Sequence, residues 1–151
     1  MSDADHQIYL ASGSPRRREL LAQIGVRFAV VTGDTDETRL PGEHPEDYVL
    51  RLALEKARAV RATLPRSDHR PVLGADTAVV IGERILGKPG DREEALAMMG
   101  LLSGRVHRVL TAVALIADDG ERTDLSETRV TFRTLNEEEV LRYWRTGEPR
   151  D

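Results

Sequence analysis

Three apolar runs separated by two helix-like segments occupy residues 7–75, and this alternation restricts the fold more than any other feature of the sequence. Gln7–Ala11, "QIYLA", reads as a first strand, and Ser12-Gly13 leads into a helix over Pro15–Ile24 that Gly25 closes. Phe28–Thr32, "FAVVT", is a second strand. After an acidic loop, a helix is predicted over Pro45–Leu64, where Val49, Leu52, Ala53, Val60 and Leu64 recur at helical spacing. Val72–Ala75 is a third, short strand. Strand–helix–strand units of this kind demand crossovers and a parallel arrangement of strands. The second half reads differently. Ala78–Leu86 is a hairpin turning at Gly82-Glu83, and Asp91 with Glu94 caps a helix that runs to Leu102 and ends at Ser103-Gly104. Val106–Ala117 and Thr123–Phe132 are strands joined by Asp118-Asp119-Gly120, and Asn136 with Glu139 caps a last helix to about Thr146. Helices early and hairpins late predict an α/β domain with a mixed central β-sheet flanked by helices.

The junction Ser12-Gly13-Ser14-Pro15 carries the first chemical signal. Ser14 suits an N-cap and Pro15 the first helical position, yet Arg16, Arg17 and Arg18 follow at the positive end of the helix dipole. A bound anion would reverse the sign of that local field, and free N–H groups, two hydroxyls and a glycine make a cradle for one. A solvated basic turn is the other reading. The glycine spacing is not that of a Walker A loop.

Of the 22 basic residues only Lys56 and Lys88 are lysine, so a compact ammonium is kept at two places. Lys56 shares the stripe of Leu52 and Val60. It either snorkels from the core's edge or reaches into a cleft to meet phosphate. Lys88 is presented by the rigid turn Leu86-Gly87-Lys88-Pro89. Asp76 ends the run Val72-Leu73-Gly74-Ala75 and is followed by Thr77. At a strand's carboxyl end it is either a turn former or a carboxylate placed to act as general base or to hold Mg²⁺. The loop Asp34-Thr35-Asp36-Glu37 offers further metal ligands or is simply solvated.

Other chemistries are poorly supplied. The net charge of −4 argues against gripping nucleic acid, and the few aromatics give no stacking platform. The absence of cysteine excludes disulfides and thiolate metal sites, and the scattered His6, His44, His69 and His107 have no zinc spacing. No Gly-x-Ser-x-Gly elbow occurs. The N-terminal "MSDADHQIYLA" does not read as a signal peptide and no apolar run reaches membrane-spanning length, so a cytoplasmic setting without a membrane partner is expected.

In this order, "YLASGSPRRRELL", "DET", "LRLALEKARAV", "GADTAVVI", "LGKP", "LSG", "TAVAL", "VTFRTL" and "TGEP" resemble the signature segments of the Maf family of nucleoside triphosphate pyrophosphatases, from Tyr9 to Pro149. Gly74-Ala75-Asp76-Thr77 looks like the branch acting on dTTP and UTP, where the sister branch acting on 7-methyl-GTP carries Ser-Asp-Gln. The resemblance implies a Maf/inosine triphosphatase-like sheet with two lobes and a cleft between them. It implies a divalent metal cation (Mg²⁺ or Mn²⁺), a small-molecule nucleoside triphosphate as partner, and a homodimer as an assembly state. Asp76 takes the proton-acceptor role, with Glu37, Lys56 and Lys88 catalytic beside it and Asp76 and Glu37 as metal ligands. Ser12, Ser14, Arg16, Arg17 and Thr77 bind substrate, Arg16 and Thr77 at positions tied to base choice. After Thr146-Gly147-Glu148-Pro149 the family continues through an Asp-Lys-Ala-Gly-…-Gly-Ile-Gln-Gly segment, a strand and a helix, where this sequence closes on Arg150-Asp151. The expectation is one Maf-like domain over residues 1–151 lacking that C-terminal segment and its base-reading glutamine. The alternative function is a nucleotide- or phosphate-binding relic without turnover.

Overall fold

The computed structural model describes residues 5–87, 91–134, 136, 138, 139 and 142. In chain order the elements are β1 (Ile8–Ala11), α1 (Pro15–Gln23), β2 (Phe28–Val30), α2 (Pro45–Thr63), β3 (Val72–Ile81), β4 (Arg84–Leu86), α3 (Arg92–Leu102), β5 (Val106–Ala117) and β6 (Gly120–Thr131). Among the described residues the strands form one sheet in the order β2-β1-β3-β5-β6, with β4 beside β3. β1 pairs in parallel with β2 (Tyr9 opposite Ala29) and with β3 (Tyr9 opposite Val72, Ala11 opposite Gly74). α1 and α2 are the two crossovers that parallel pairing requires. β4 returns antiparallel on β3, with Val79 opposite Leu86 and Ile81 opposite Arg84. The sheet is therefore mixed, as expected from the order of elements.

The chain divides into two compact units, one of Met1–Thr77 with Thr111–Ser126, the other of Ala78–Leu110 with Glu127–Asp151. In the first, the buried residues are Tyr9, Leu10 and Ala11 of β1, Val49, Leu52, Ala53, Ala57 and Val60 of α2, Val72 and Ala75 of β3, and Ala112 and Ala114 of β5. The stripe on α2 is alanine-rich where it meets β3. A Cβ added to Gly74 would lie 2.3 Å from the Ala53 carbonyl oxygen and 3.0 Å from the Ala57 Cβ, so glycine is what lets helix and strand approach this closely. In the second unit, Ala78, Val80, Leu86, Ala95, Leu102 and Leu110 are buried. Its β3–β4 turn places Gly82 at φ +60°, the left-handed conformation that glycine supplies to two-residue hairpins.

Two expectations about the strands are corrected. β3 runs unbroken through Asp76 and Thr77, so the strand expected over Val72–Ala75 and the first arm of the hairpin are one ten-residue strand. Asp76 therefore lies in mid-strand and not at a strand's carboxyl end. The polar pair does not break the strand because both side chains find partners from other elements. β6 starts at Gly120, three residues before the expected Thr123, and is exposed at nearly every position, as an edge strand tolerates. Asn136 Oδ1 accepts from the Glu139 amide at 2.9 Å, as the expected cap requires, and the rest of that last helix lies outside the described residues apart from Glu138 and Arg142.

Candidate active site

The strand β1 delivers Ser12, buried, to the start of α1. Pro15 occupies the first turn, and the Ser14 hydroxyl caps the helix by accepting from the Arg17 amide. The Ser12 hydroxyl accepts from the Ser14 amide at 3.2 Å, which folds the turn back on itself. Of the three arginines, Arg16 and Arg18 are exposed and Arg17 turns inward. Its guanidinium donates to the Ser12 hydroxyl at 2.9 Å, the Ala75 carbonyl oxygen at 3.4 Å and the Thr77 hydroxyl at 3.1 Å. Burial lowers its pKa, Asp76 partly offsets this, and the group stays charged. Thr77 Oγ1 in turn lies 3.3 Å from Thr111 Oγ1 on β5. Arg17 is thus a clamp between the turn after β1 and the middle of β3.

The next residue inward on β3 is Asp76, 8% exposed. Its Oδ1 accepts from Lys56 Nζ at 2.8 Å, and the same ammonium meets Glu37 Oε1 at 2.9 Å. Lys56 arrives here because Ala53, one turn before it, and Ala57, the next residue, pack against Gly74 two residues before Asp76. Burial is the largest influence on Lys56 and opposes its charge, but the hydrogen bonds it donates to Asp76 and Glu37, with their negative charge, outweigh burial and raise the pKa. Burial also dominates at Asp76 and pushes its carboxyl up against the pull of Lys56. A carboxylate raised toward neutral pH is a better proton acceptor than an ordinary one. Two carboxylates of different elements meeting at one cation, here the Lys56 ammonium, are ligands that Mg²⁺ takes together with water and phosphate oxygens; among the described residues no third His, Asp or Glu joins them.

Comparison with known proteins follows the same lines. Residues 7–151 match the family described as Maf-like protein. The chain belongs to the Maf family. A relative from Alkalilimnicola ehrlichii named dTTP/UTP pyrophosphatase is 55% identical over 147 residues, covering 95% of this chain and 72% of the relative. Another of the same name from Saccharophagus degradans is 53% identical, covering 99% of this chain and 71% of the relative. The solved structure of the Staphylococcus aureus Ham1 protein superposes with a TM-score of 0.52 at 18% identity, over 82% of this chain and 69% of that one, and shares the fold.

Within this Maf chain, the residues singled out from sequence divide clearly. Ser12, Ser14, Arg17 and Thr77 form one set of contacts and Asp76, Lys56 and Glu37 another, and the two adjoin where Asp76 and Thr77 are neighbours on β3. Of the acidic loop, Glu37 alone reaches Lys56; Asp36 instead accepts from the Thr38 amide at 2.9 Å and is held below the usual carboxylate range by Thr38. Arg16 sits at the rim of the first set with its guanidinium exposed, and Lys88 lies outside the described residues. Lys56 resolves in favour of a side chain directed at carboxylates, not one snorkelling from the core. Sequence reasoning missed Thr111, Tyr48 and Arg51. Thr111 had no signal in an apolar strand, whereas Tyr48 and Arg51 are polar intrusions one turn apart on the α2 stripe.

Proposed function

We propose that this chain hydrolyses dTTP and UTP between the α and β phosphates, releasing the nucleoside monophosphate and pyrophosphate, in the cytoplasm. The observation that carries the reading is the meeting of Asp76 and Glu37 on Lys56, directly beside the cradle of Ser12, Ser14 and Arg17. The names of the relatives give the substrate class. Asp76 is the proton acceptor: with Oδ1 held by Lys56, it takes the proton of the attacking water on Oδ2 as the water oxygen bonds to the α-phosphorus. The α–β bridging oxygen leaves with pyrophosphate. Lys56 keeps Asp76 in place and offsets the negative charge that triphosphate brings to two carboxylates. The α1 N-terminus, with Arg16 at its rim, binds the phosphates, and Lys88 keeps the catalytic part that the family resemblance implies. Arg16 and Thr77 bear on base choice. Mg²⁺ or Mn²⁺ fits the Glu37–Asp76 pair, and when bound it supplies charge for the phosphate oxygens.

The test is incubation of the chain with Mg²⁺ and a panel of nucleoside triphosphates in H₂¹⁸O. Pyrophosphate without label, and one ¹⁸O in dTMP or UMP, is the expected result. Label in the pyrophosphate places attack at the β-phosphorus and overturns the mechanism. Binding of dTTP without either product favours the binding-module reading.

A further inference from the structure

Glu37 reaches Lys56 from a stretch, residues 31–44, that has no helix or strand. Such a segment keeps a side chain in place only where specific contacts offset its conformational entropy. Those contacts converge on two side chains of α2. Tyr48 Oη donates to the Glu37 carbonyl oxygen at 2.5 Å. Arg51 Nη2 donates to the Thr38 carbonyl oxygen at 3.1 Å. The same guanidinium grips both oxygens of Glu43, through Nε at 2.8 Å and Nη2 at 2.9 Å. Glu43 Oε1 also accepts from the Leu40 amide at 3.2 Å. The Arg51 and Glu43 side chains are 21% and 9% exposed, so this forked pair is largely shielded from water, the circumstance in which such pairs hold geometry well. Arg51 further stacks over the Tyr48 ring, 5.7 Å from its centroid. The loop is therefore pinned at Glu37, Thr38 and Glu43 to one face of α2.

Lys56 stands on the same helix, eight residues beyond Tyr48 and so about two turns along the same side. One rigid element thus presents the ammonium and fixes the backbone that carries the opposing carboxylate. We propose that Tyr48 and Arg51 are positioning residues for Glu37: they hold its backbone against α2 so that its carboxylate meets Lys56 and completes a cation-binding pair with Asp76. The inference rests on the functional reading above in giving Glu37 a cation to bind. Neither side chain touches the reacting groups, and both act through the loop.

Tyr48→Phe removes one hydrogen bond while keeping the ring under Arg51. Mn²⁺ binding to the nucleotide-free full chain, followed by electron paramagnetic resonance, is the direct measurement. Metal-free pyrophosphate binding by calorimetry is the control, because it draws on the Ser12–Arg17 side of the site. Mn²⁺ affinity is expected to fall about 10-fold, the usual scale for groups that orient a ligand, while pyrophosphate affinity changes less than about two-fold. Unchanged Mn²⁺ affinity, equal losses for both ligands, or no Mn²⁺ binding by the unsubstituted chain each overturn the proposal. Arg51→Lys keeps the charge but loses the fork, is expected to show the same split, and decides the matter if Tyr48→Phe does not fold. Release of pyrophosphate from dTTP is assayed in parallel. Its absence with the Mn²⁺ split intact ends the functional reading and leaves the positioning role standing.

Discussion

Asp76 is buried, carries its charge against the cost of desolvation, and has one oxygen committed to Lys56. Replacing it with asparagine keeps the shape and an oxygen for Lys56 but removes the basic lone pair. Asp76→Asn is therefore expected to fold and to lose ~10²–10⁴-fold in turnover, the range typical of general-base catalysis. Pyrophosphate release and a circular dichroism melt check the two halves of that statement; undiminished turnover rejects Asp76 as the base. Because burial raises the Asp76 pKa, the acid limb of kcat/KM in the unsubstituted chain is expected above the ordinary aspartate value of 3.8, with activity rising as the proton leaves. At this scale the sequence was readable where residue type was anomalous. Of the two lysines among 22 basic residues, Lys56 meets the aspartate that follows an apolar run, Asp76, whereas Lys88 lies outside the described residues. The sequence misled where a polar residue's partner is remote in sequence. Asp76 and Thr77 read as the end of a strand because Lys56 and Arg17, which satisfy them within β3, lie 20 and 60 residues away.

The elements that build the site do so through one close approach and one helix start. At Gly74 even a methyl group meets the Ala53 carbonyl oxygen at 2.3 Å, and backbone cannot give way as a flexible side chain does. Gly74→Ala is expected to push α2 outward, at a cost of about 1–3 kcal/mol, and to carry Lys56 off Asp76. Lower Tm together with lost turnover is the expected pair of results; unchanged values for both show that α2 does not depend on this contact. Nothing in "VLGAD" reveals the need, since a strand glycine reads only as a weak point until the helix that crosses it is known. The start of α1 was more legible, because Ser14, Pro15 and Gly25 each have a conformational reason to stand where they do. Arg16 is exposed there, at the positive end of the helix dipole. Arg16→Ala is expected to leave the stability of the ligand-free chain unchanged or raised by about 0.3–1 kcal/mol, read as an unchanged or slightly higher Tm, while weakening dTTP binding. A ligand-free Arg16→Ala chain that melts several degrees lower makes the arginine structural and removes it from the phosphate cradle.

Across the whole molecule, the parallel β2-β1-β3 core follows from the alternation of strands and helices, whereas the division into units does not. β3, β5 and β6 each supply residues to both units, and a strand carries no local mark of where its neighbours change. Buried titratable groups outside the site are equally hard to read, and one of them is expected to shape how stability responds to acid. His107, on β5, reads in the sequence as one scattered histidine among four, but it is 4% exposed, packed edge-on against Phe132 at 4.8 Å, with Nδ1 buried and without a hydrogen-bond partner among the described residues. Burial disfavours the imidazolium and lowers the pKa from 6.5. The unfolded chain therefore binds a proton more readily than the folded one, and stability rises with pH wherever that difference exists. The His107 contribution is fully present above the ordinary pKa of 6.5 and is lost as pH falls from there through the lower folded value. Urea midpoints for the full chain are expected to be flat from neutral to mildly alkaline pH and to decline on acidification. His107→Leu keeps an apolar side chain against Phe132 with nothing to protonate, so the decline between pH 6.5 and the folded pKa is expected to flatten. Carboxylates such as Glu121, lowered by its hydrogen bonds with Arg58, lose their stabilising ionisation only at more acidic pH, which separates the two causes. An acid limb identical in the His107→Leu chain assigns the decline to groups other than this histidine.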